Sequence, residues 1–301
     1  MLVSVVMPTF NAIAWLEAAV DSVLTQDYPT LELLVVDGGS TDGTHDWIAK
    51  AANRDRRIQF VSETDSGPAA AINKGLRQAK GVYVGWLNAD DLYSQGAIAR
   101  AVDRLHATDA PVLVYGEGVH IDSNGQPIRA YPTRPPSVEI EEFLNGCFIC
   151  QPTAFFRRSL ILTTGLLDES LKTAFDFDYW LRIFRGHRRR IAFVAQVQAY
   201  SRWHDNALSA RLRSTVALEA VALLRRHLGK APLHWALTYL LELTRQSQVD
   251  LSEVVNFSKK IADIVSVDDY AEYVAVLKRY AEEYPWARLA LQASRNGAYI
   301  F

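Results

Sequence analysis

The sequence predicts an α/β protein: a doubly wound, mostly parallel mixed sheet of Rossmann type, with an all-helical extension behind it. Three observations predict this. Short apolar runs alternate with helix-period segments of ten or more residues over residues 2–87, the pattern of strand–helix–strand units. The runs ending at Met7, Val36, Val61 and Leu87 each give way to a polar cluster, and such sheets collect ligands at the carboxyl ends of their strands. From Arg211 onward only helix-period segments remain.

Residues 2–7 are a valine-rich first strand, closed by Pro8-Thr9-Phe10-Asn11. Residues 13–24 place Trp15, Leu16, Ala19, Val20 and Val23 on one helix face. Residues 31–36 form a second strand, ended by Asp37-Gly38-Gly39-Ser40, and Asp42 or Thr44 caps the next helix. A short strand over 58–61 and a helix over 67–79 lead to the run over 82–87. A helix follows from Ser94 or Gln95 to Leu105, then a strand over 112–115. Asn124-Gly125, between apolar runs at 119–121 and 128–130, signals a hairpin and a change from parallel to mixed sheet. Pro132, Pro135 and Pro136 make an extended link suited to a lid or an acceptor-side loop. Asp176 and Asp178 stand before a helix carrying Trp180, Leu181, Ile183 and Phe184, and a last strand covers 191–199.

These segments divide the chain into residues 1–210, with a nucleotide-binding half (1–110) and an acceptor half (111–210), and a helical extension, 211–301. The extension reads as amphipathic helices over 216–228, 233–243, 254–265 and 270–284, with Asp269 and Glu272 as a capping box. Tyr270, Tyr273, Val274, Leu277, Tyr280 and Tyr284 form one stripe. It packs on the body or on itself, or serves a homodimer contact or a membrane surface.

With 301 residues, half of them apolar, the chain affords a large core, and its net charge of −2 exerts no general pull on nucleic acid. Cys147 and Cys150 have no second pair for zinc and apolar flanks, which predicts two reduced, packed thiols in a cytoplasmic protein. The first residues lack a basic region and enter a strand directly, unlike a signal peptide. No window is apolar for the roughly 18 to 20 residues that span a bilayer. Arg182, Arg185, Arg188, Arg189 and Arg190, with His187, form a basic run, either a solvated face or a site for lipid headgroups or an anionic acceptor.

The stretch that organises the chain is GVYVGWLNADD, Gly81 to Asp91, where a buried strand stops at Asn88, Asp90 and Asp91. Paired carboxylates at a strand end suit Mg²⁺ or Mn²⁺, which is usually held by one or two carboxylates plus substrate phosphates. Equally, they cap the following helix. There is no GxGxxG after the first strand and no GxxxxGK[ST], which disfavours a dinucleotide fold and a P-loop. DGGSTDGT lacks the phosphate-binding lysine, so Asp37 suits a base or ribose, or a plain turn.

PTFN, VVDGGSTDGT, ETDSGPAAAINKG and WLNADD, in this order and at these intervals, resemble the family 2 glycosyltransferases of GT-A fold, closest to the bacterial cell-surface polysaccharide type. The resemblance covers about residues 3–209. It implies an inverting transfer of sugar from a nucleotide diphospho-sugar, UDP favoured over GDP or dTDP, to a glycan or lipid-linked acceptor. Pro8, Thr9, Asn11, Asp37, Gly39 and Asp65 would line the nucleotide side. Asn73 and Lys74 would approach the nucleotide or diphosphate. Asn88-Ala89-Asp90 stands where the family's DxD motif stands, with Asn88 on the nucleotide-sugar, Asp90 the metal ligand and Asp91 a ligand or donor-sugar contact. Asp176 matches the general base, with Asp178 second; Phe175 replaces a preceding acid and would raise the Asp176 pKa. Gln151-Pro152-Thr153-Ala154-Phe155-Phe156 falls in the acceptor half. Arg202 and His204 match an R-x-H element near the diphosphate, Arg202 for phosphate and His204 for the metal. The implied cofactor is Mn²⁺ or Mg²⁺. The implied location is cytoplasmic, or peripheral to the inner face of the plasma membrane.

Two other classes are weighed. A nucleotidyltransferase needs a glycine-rich basic loop after the first strand, which PTFNAIAWLE lacks. A non-catalytic sugar-nucleotide-binding or scaffold relative draws support from Asn88, Ala70 and Phe175, where relatives carry acids.

Overall fold

The computed structural model of the chain describes residues 1–244 and 251–280, together with 282, 284, 287, 288 and 290. Its contacts divide into two units, Met1–Ala207 and one beginning at Leu208. The first is built on a nine-stranded sheet.

Strands β1 (Val3–Thr9), β2 (Leu31–Asp37), β3 (Ile58–Ser62) and β4 (Tyr83–Trp86) run parallel in the order β3-β2-β1-β4. Helices α1 (Ile13–Leu24), α2 (Thr44–Arg54) and α3 (Pro68–Gln78) connect them. Every residue of β1 and β2 is buried, as expected of strands covered on both faces, and this is why they read as continuous valine and leucine runs. In register, Thr9 lies beside Asp37, so the polar residues closing the two strands meet at one edge.

The second half is mixed. Beyond β5 (Leu92–Tyr93) and α4 (Ala97–His106) come β6 (Leu113–Ile121), β7 (Pro127–Ala130), β8 (Phe155–Arg157), the short α5 (Ile161–Thr164), α6 (Phe175–His187) and β9 (Ile191–Arg202). Strand β8 inserts antiparallel between β4 and β6, β9 runs parallel to β6, and β5 pairs antiparallel with β9. Two antiparallel steps return β6 and β9 to the direction of β1. The hairpin at Asn124-Gly125 joins β6 to β7: Asp122 accepts from the Asn124 and Gln126 amides at 2.9 and 2.8 Å, and Gly125 has φ +85°.

The expected strands at 112–115 and 119–121 are one long strand, β6. The link is Gly116-Glu117-Gly118, where the pairing with β9 shifts register. A Cβ on Gly116 would meet Gln198 and the Val194 carbonyl at 2.6 and 2.7 Å, so the glycine admits the bulged partner. The two-residue β5 is too short for a pattern to reveal. The expected helix at 94–105 begins at Ala97, behind Gly96 with φ +78°.

Trp86, ending β4, stacks on Trp180 of α6, with ring centroids 5.4 Å apart and planes 7° apart. Both are buried, as are Phe156 and Tyr179 around them. This aromatic layer fixes α6 against the central strand.

The second unit contains α7 (Leu208–Arg211), α8 (Arg213–Leu228), α9 (His234–Thr244), α10 (Leu251–Ile264) and α11 (Val267–Tyr280). Tyr273 and Leu277 of the tyrosine stripe are buried with Phe257, Ile261 and Leu240, so the stripe packs within its own unit. The capping pair is not Asp269 with Glu272. Ser266 donates its hydroxyl to Asp269 at 2.6 Å and accepts the Asp269 amide at 3.2 Å, because α11 starts three residues earlier than expected. No described helix is long and apolar enough to cross a membrane.

Candidate active site

At the carboxyl edge of the parallel strands, the loops after β1 and β2 lock together. Asp37 is fully buried and accepts hydroxyl hydrogen bonds from Ser40 and Ser62 at 2.5 and 2.6 Å, and the Ser40 amide at 3.2 Å. The Ser40 hydroxyl accepts the Asn11 amide at 2.7 Å, and the Asn11 side-chain oxygen accepts the Thr41 amide at 2.9 Å. Asn11 holds φ +49°, a left-handed conformation that asparagine tolerates. The first amides of α1 are capped from the next loop: Ala12 donates to Thr44 and Ile13 to Asp42. Asp42 therefore caps α1 as well as accepting the Thr44 amide at the start of α2.

This arrangement leaves Phe10 63% exposed. A Cβ on Gly38 would come within 3.1 Å of an Asp65 carboxylate oxygen and 3.4 Å of the Phe10 ring, so Phe10, Gly38 and Asp65 form one ledge. Asp65 also accepts the Gly67 amide at 2.9 Å. Pro8 and Thr9 are buried beneath this ledge in β1, and Gly39 takes φ +87°. Phe10 stands inside PTFN but was not singled out by the sequence, because an apolar residue after a strand reads as packing.

Past β4, Asp90 is half-buried, and its Oδ2 lies 3.0 Å from Nε2 of His204. The His204 ring packs on Trp15 of α1, with centroids 4.1 Å apart. Asp91 points inward and is buried. It accepts the Arg202 amide at 2.8 Å and the Asn88 side-chain amide at 3.2 Å. Burial, and then the neighbouring Asp90 charge, push its pKa well up.

Arg202 is buried too. Its Nε donates to the Asp90 carbonyl at 2.7 Å, and one Nη donates to the Asp122 and Ser123 carbonyls at 2.9 and 3.1 Å. The side chain expected to bind phosphate is thus chiefly a clamp on the Asp90 loop. Gln151 accepts from Asn88 at 3.0 Å and donates to the Trp86 carbonyl at 2.8 Å. The stretch expected on the acceptor side therefore reaches the Asp90 loop, a long-range contact that local sequence does not display.

Two expected nucleotide contacts are otherwise engaged. Lys74 is ion-paired with Glu63. Asn73 is buried; its amide donates to the Leu167 carbonyl and to Glu169 at 2.9 and 2.8 Å, while its oxygen accepts the Leu167 amide at 2.9 Å. It pins the loop before α6 to α3.

Asp176 and Asp178 lie in the first turn of α6, not before it, since Phe175 is already helical. Asp176 is half-buried and accepts the Phe177 amide at 2.7 Å. Asp178 is almost fully buried and bonded to Arg182 Nε at 2.8 Å; Arg182 also donates to the Leu166 carbonyl at 2.9 Å. The Cys150 thiol is pushed well up by burial, then by the charges of Asp91, Cys147 and Asp176. Burial pushes Cys147 up to about 12, and the two cysteines are free thiols.

Among the described residues no group of three or more His, Cys, Asp or Glu is placed to hold a metal ion. Asp90 and His204 supply two adjacent donors, and Asp91 is committed to the backbone beneath them. A two-donor site fits a hard cation whose remaining ligands are substrate phosphates and water.

A sheet whose parallel strands end in acids at their carboxyl edge defines an α/β protein of the class that collects its ligand at that edge. The family model described as Glycosyl transferase family 2 matches residues 4–164. The chain belongs to that family. A glycosyltransferase of Rickettsia bellii is 26% identical over 296 residues, covering 94% of this chain and 40% of that protein. A PGL/p-HBAD biosynthesis glycosyltransferase of Mycobacterium bovis is 33% identical over 184 residues, 60% of this chain and 69% of its own length. The chain spans less than two thirds of the first rickettsial relatives it matches. Among solved structures, S. aureus TarS 1-349 in complex with UDP-GlcNAc superposes with a TM-score of 0.69 at 19% identity, covering 100% of this chain and 93% of that one. Mannosyltransferase PcManGT from Pyrobaculum calidifontis, in complex with GDP-Man and Mn²⁺, gives 0.56 at 21% identity, covering 99% and 87%. These likenesses establish the GT-A fold.

Proposed function

We propose that this chain transfers a sugar, with inversion, from a nucleotide diphospho-sugar to an acceptor hydroxyl. The observation that carries the reading is the Trp86–Trp180 stack, which holds the helix bearing Asp176 against the strand leading to Asp90. The nucleotide lies on the Phe10, Gly38 and Asp65 ledge, with the base against the exposed Phe10 ring and ribose hydroxyls toward the acids of the ledge. Asp37 acts from below by fixing Ser40 and hence the whole turn. Asp90 and His204 would hold a divalent cation; when bound, it would offset the negative charge that grows on the leaving diphosphate. Asn88 and Arg202 keep the Asp90 loop in place.

Asp176 takes the proton of the acceptor hydroxyl as that oxygen attacks the anomeric carbon from the face opposite the diphosphate. Asp178, expected as the second candidate, is held by Arg182 and serves to position the start of α6 instead. TarS was solved with UDP and with UDP-GlcNAc, which favours a UDP donor here. A Bacillus subtilis relative, TuaG, is 31% identical over 186 residues, and its name assigns it to teichuronic acid biosynthesis. That supports a cell-envelope glycan or lipid-linked saccharide as acceptor.

The test is release of nucleoside diphosphate from UDP-, GDP- and dTDP-sugars with Mn²⁺ or Mg²⁺. The reading expects turnover of donors with one base, lost on chelation and in Asp90→Ala. No turnover of any donor, with binding retained, would mark a non-catalytic relative.

A further inference from the structure

Helix α6 carries Asp176 at its first turn and ends in Arg185, Gly186 and His187, followed by Arg188, Arg189 and Arg190. Thirteen helical residues span about 20 Å, so the arginines lie far from Asp176. They also precede β9, which runs in the direction of β1, so they belong to the edge of the sheet opposite the Asp90 loop. With Pro136 and Ser137 they line a surface pocket of about 580 Å³.

The charges around it can be accounted for. Glu139 forks onto Arg188, and Glu141 also acts on that guanidinium. Arg190 donates only to the Ala110 carbonyl, at 2.9 Å. Arg185 and Arg189 are exposed and have no partner among the described residues. A helix carboxyl end favours basic residues, but it does not require a recess among them. Gly186 lies in the recess, and its φ is not positive. A Cβ there would meet nothing within 4 Å, so neither backbone nor packing asks for glycine, which weakens a helix. What it does is leave this part of the pocket lining without a side chain.

Beside the pocket, Nε2 of His187 lies 3.2 Å from the Thr163 hydroxyl of α5. The adjoining Leu162 is 88% exposed. A single exposed leucine is ordinary. One residue from the Thr163 contact with the pocket's His187, it adds an apolar side chain for the layer beneath the headgroups to the cations that Arg185 and Arg189 offer their phosphates, the two features that bind a bilayer surface.

We propose that Arg185, Arg189 and Arg190, with Leu162, dock this chain on an anionic lipid surface by seating a headgroup phosphate in the pocket. The site is independent of the transfer reading, since none of these residues belongs to the donor or base machinery. Vesicle flotation of the full chain tests it, using phosphatidylcholine with and without phosphatidylglycerol. Association is expected only with phosphatidylglycerol, and it weakens as salt rises. Arg185→Gln and Arg189→Gln should each weaken it roughly fivefold. Leu162→Ser should weaken it with the salt dependence unchanged. Donor binding in solution, followed by thermal shift, should be unaltered in all three and reports that they fold. Equal binding to both vesicles, or full binding by the double arginine variant, overturns the proposal. So does binding of inorganic phosphate at the pocket without vesicle association, which would assign the site to a free phosphate.

Discussion

Trp180 lies flat against Trp86, 5.4 Å between centroids, and the two residues belong to opposite halves of the chain. Trp86 stands two positions before Asn88, and Trp180 one helical turn after Asp176. The stack is therefore the ruler between the proposed metal end and the proposed base. Trp180→Phe keeps an aromatic ring but shortens it, so α6 should resettle. Small displacements of a catalytic group cost large factors in rate. The expected result is a kcat reduced at least about tenfold with donor affinity unchanged; an unchanged kcat would remove the stack from this role.

Asp176→Asn should leave donor binding intact while transfer falls on the order of 10²- to 10⁴-fold. Asp178→Asn should act differently. It breaks the ion pair between the almost fully buried Asp178 and the partly buried Arg182, so its main effect should be a lowered melting temperature. Steady-state kinetics and melting on both variants separate the roles; the opposite pattern would exchange them.

Adjacent residues of α3 should also differ sharply. Asn73→Ala strands the Leu167 amide and carbonyl, both bonded to it inside the protein, at about 1–3 kcal/mol for each buried group left unsatisfied. Lys74→Ala removes a partly exposed ion pair with Glu63, worth about 0–1 kcal/mol. Denaturant unfolding should place Asn73→Ala well below wild type and Lys74→Ala close to it. If Lys74→Ala instead abolished donor binding, the lysine would have to leave Glu63 for the diphosphate.

His120 is half-buried between Tyr131 and Trp203, and burial, aided by Arg129, lowers its pKa from the ordinary value near 6.5. The sign follows from proton counting. Below 6.5 the unfolded chain takes up a proton that the folded chain resists, so acidification favours unfolding. Stability should decline as pH falls from about 7.5 through 6, and His120→Gln should flatten that slope. A slope identical in the variant would assign it to other groups, His234 first, whose pKa burial also lowers.

The parallel half was legible in the sequence because its strands are buried on both faces and its helices show one apolar stripe. The span expected for α1, residues 13–24, matches the helix found. The mixed half was less so. Strand β8 is three residues and β5 two, too short to show a period, and β6 hides its continuity behind two glycines. At the site, the sequence picked out Asp37, Asp65, Asp90 and Asp176 as chemistry-bearing groups at element ends. It missed what each side chain is already doing. That Asn73 holds Leu167, that Gln151 holds Asn88 and that Arg202 clamps Asp90 are contacts across 60 to more than 100 residues, which no local pattern encodes.

The central claim is that Asp90 and His204 share a cation with the donor diphosphate. The direct measurement is Mn²⁺ affinity by titration calorimetry, alone and with saturating UDP, GDP or dTDP. The account predicts weak binding alone, much tighter binding with one of the three nucleotides, and loss of that coupling in Asp90→Ala and His204→Ala. Coupling undiminished in both variants would contradict it.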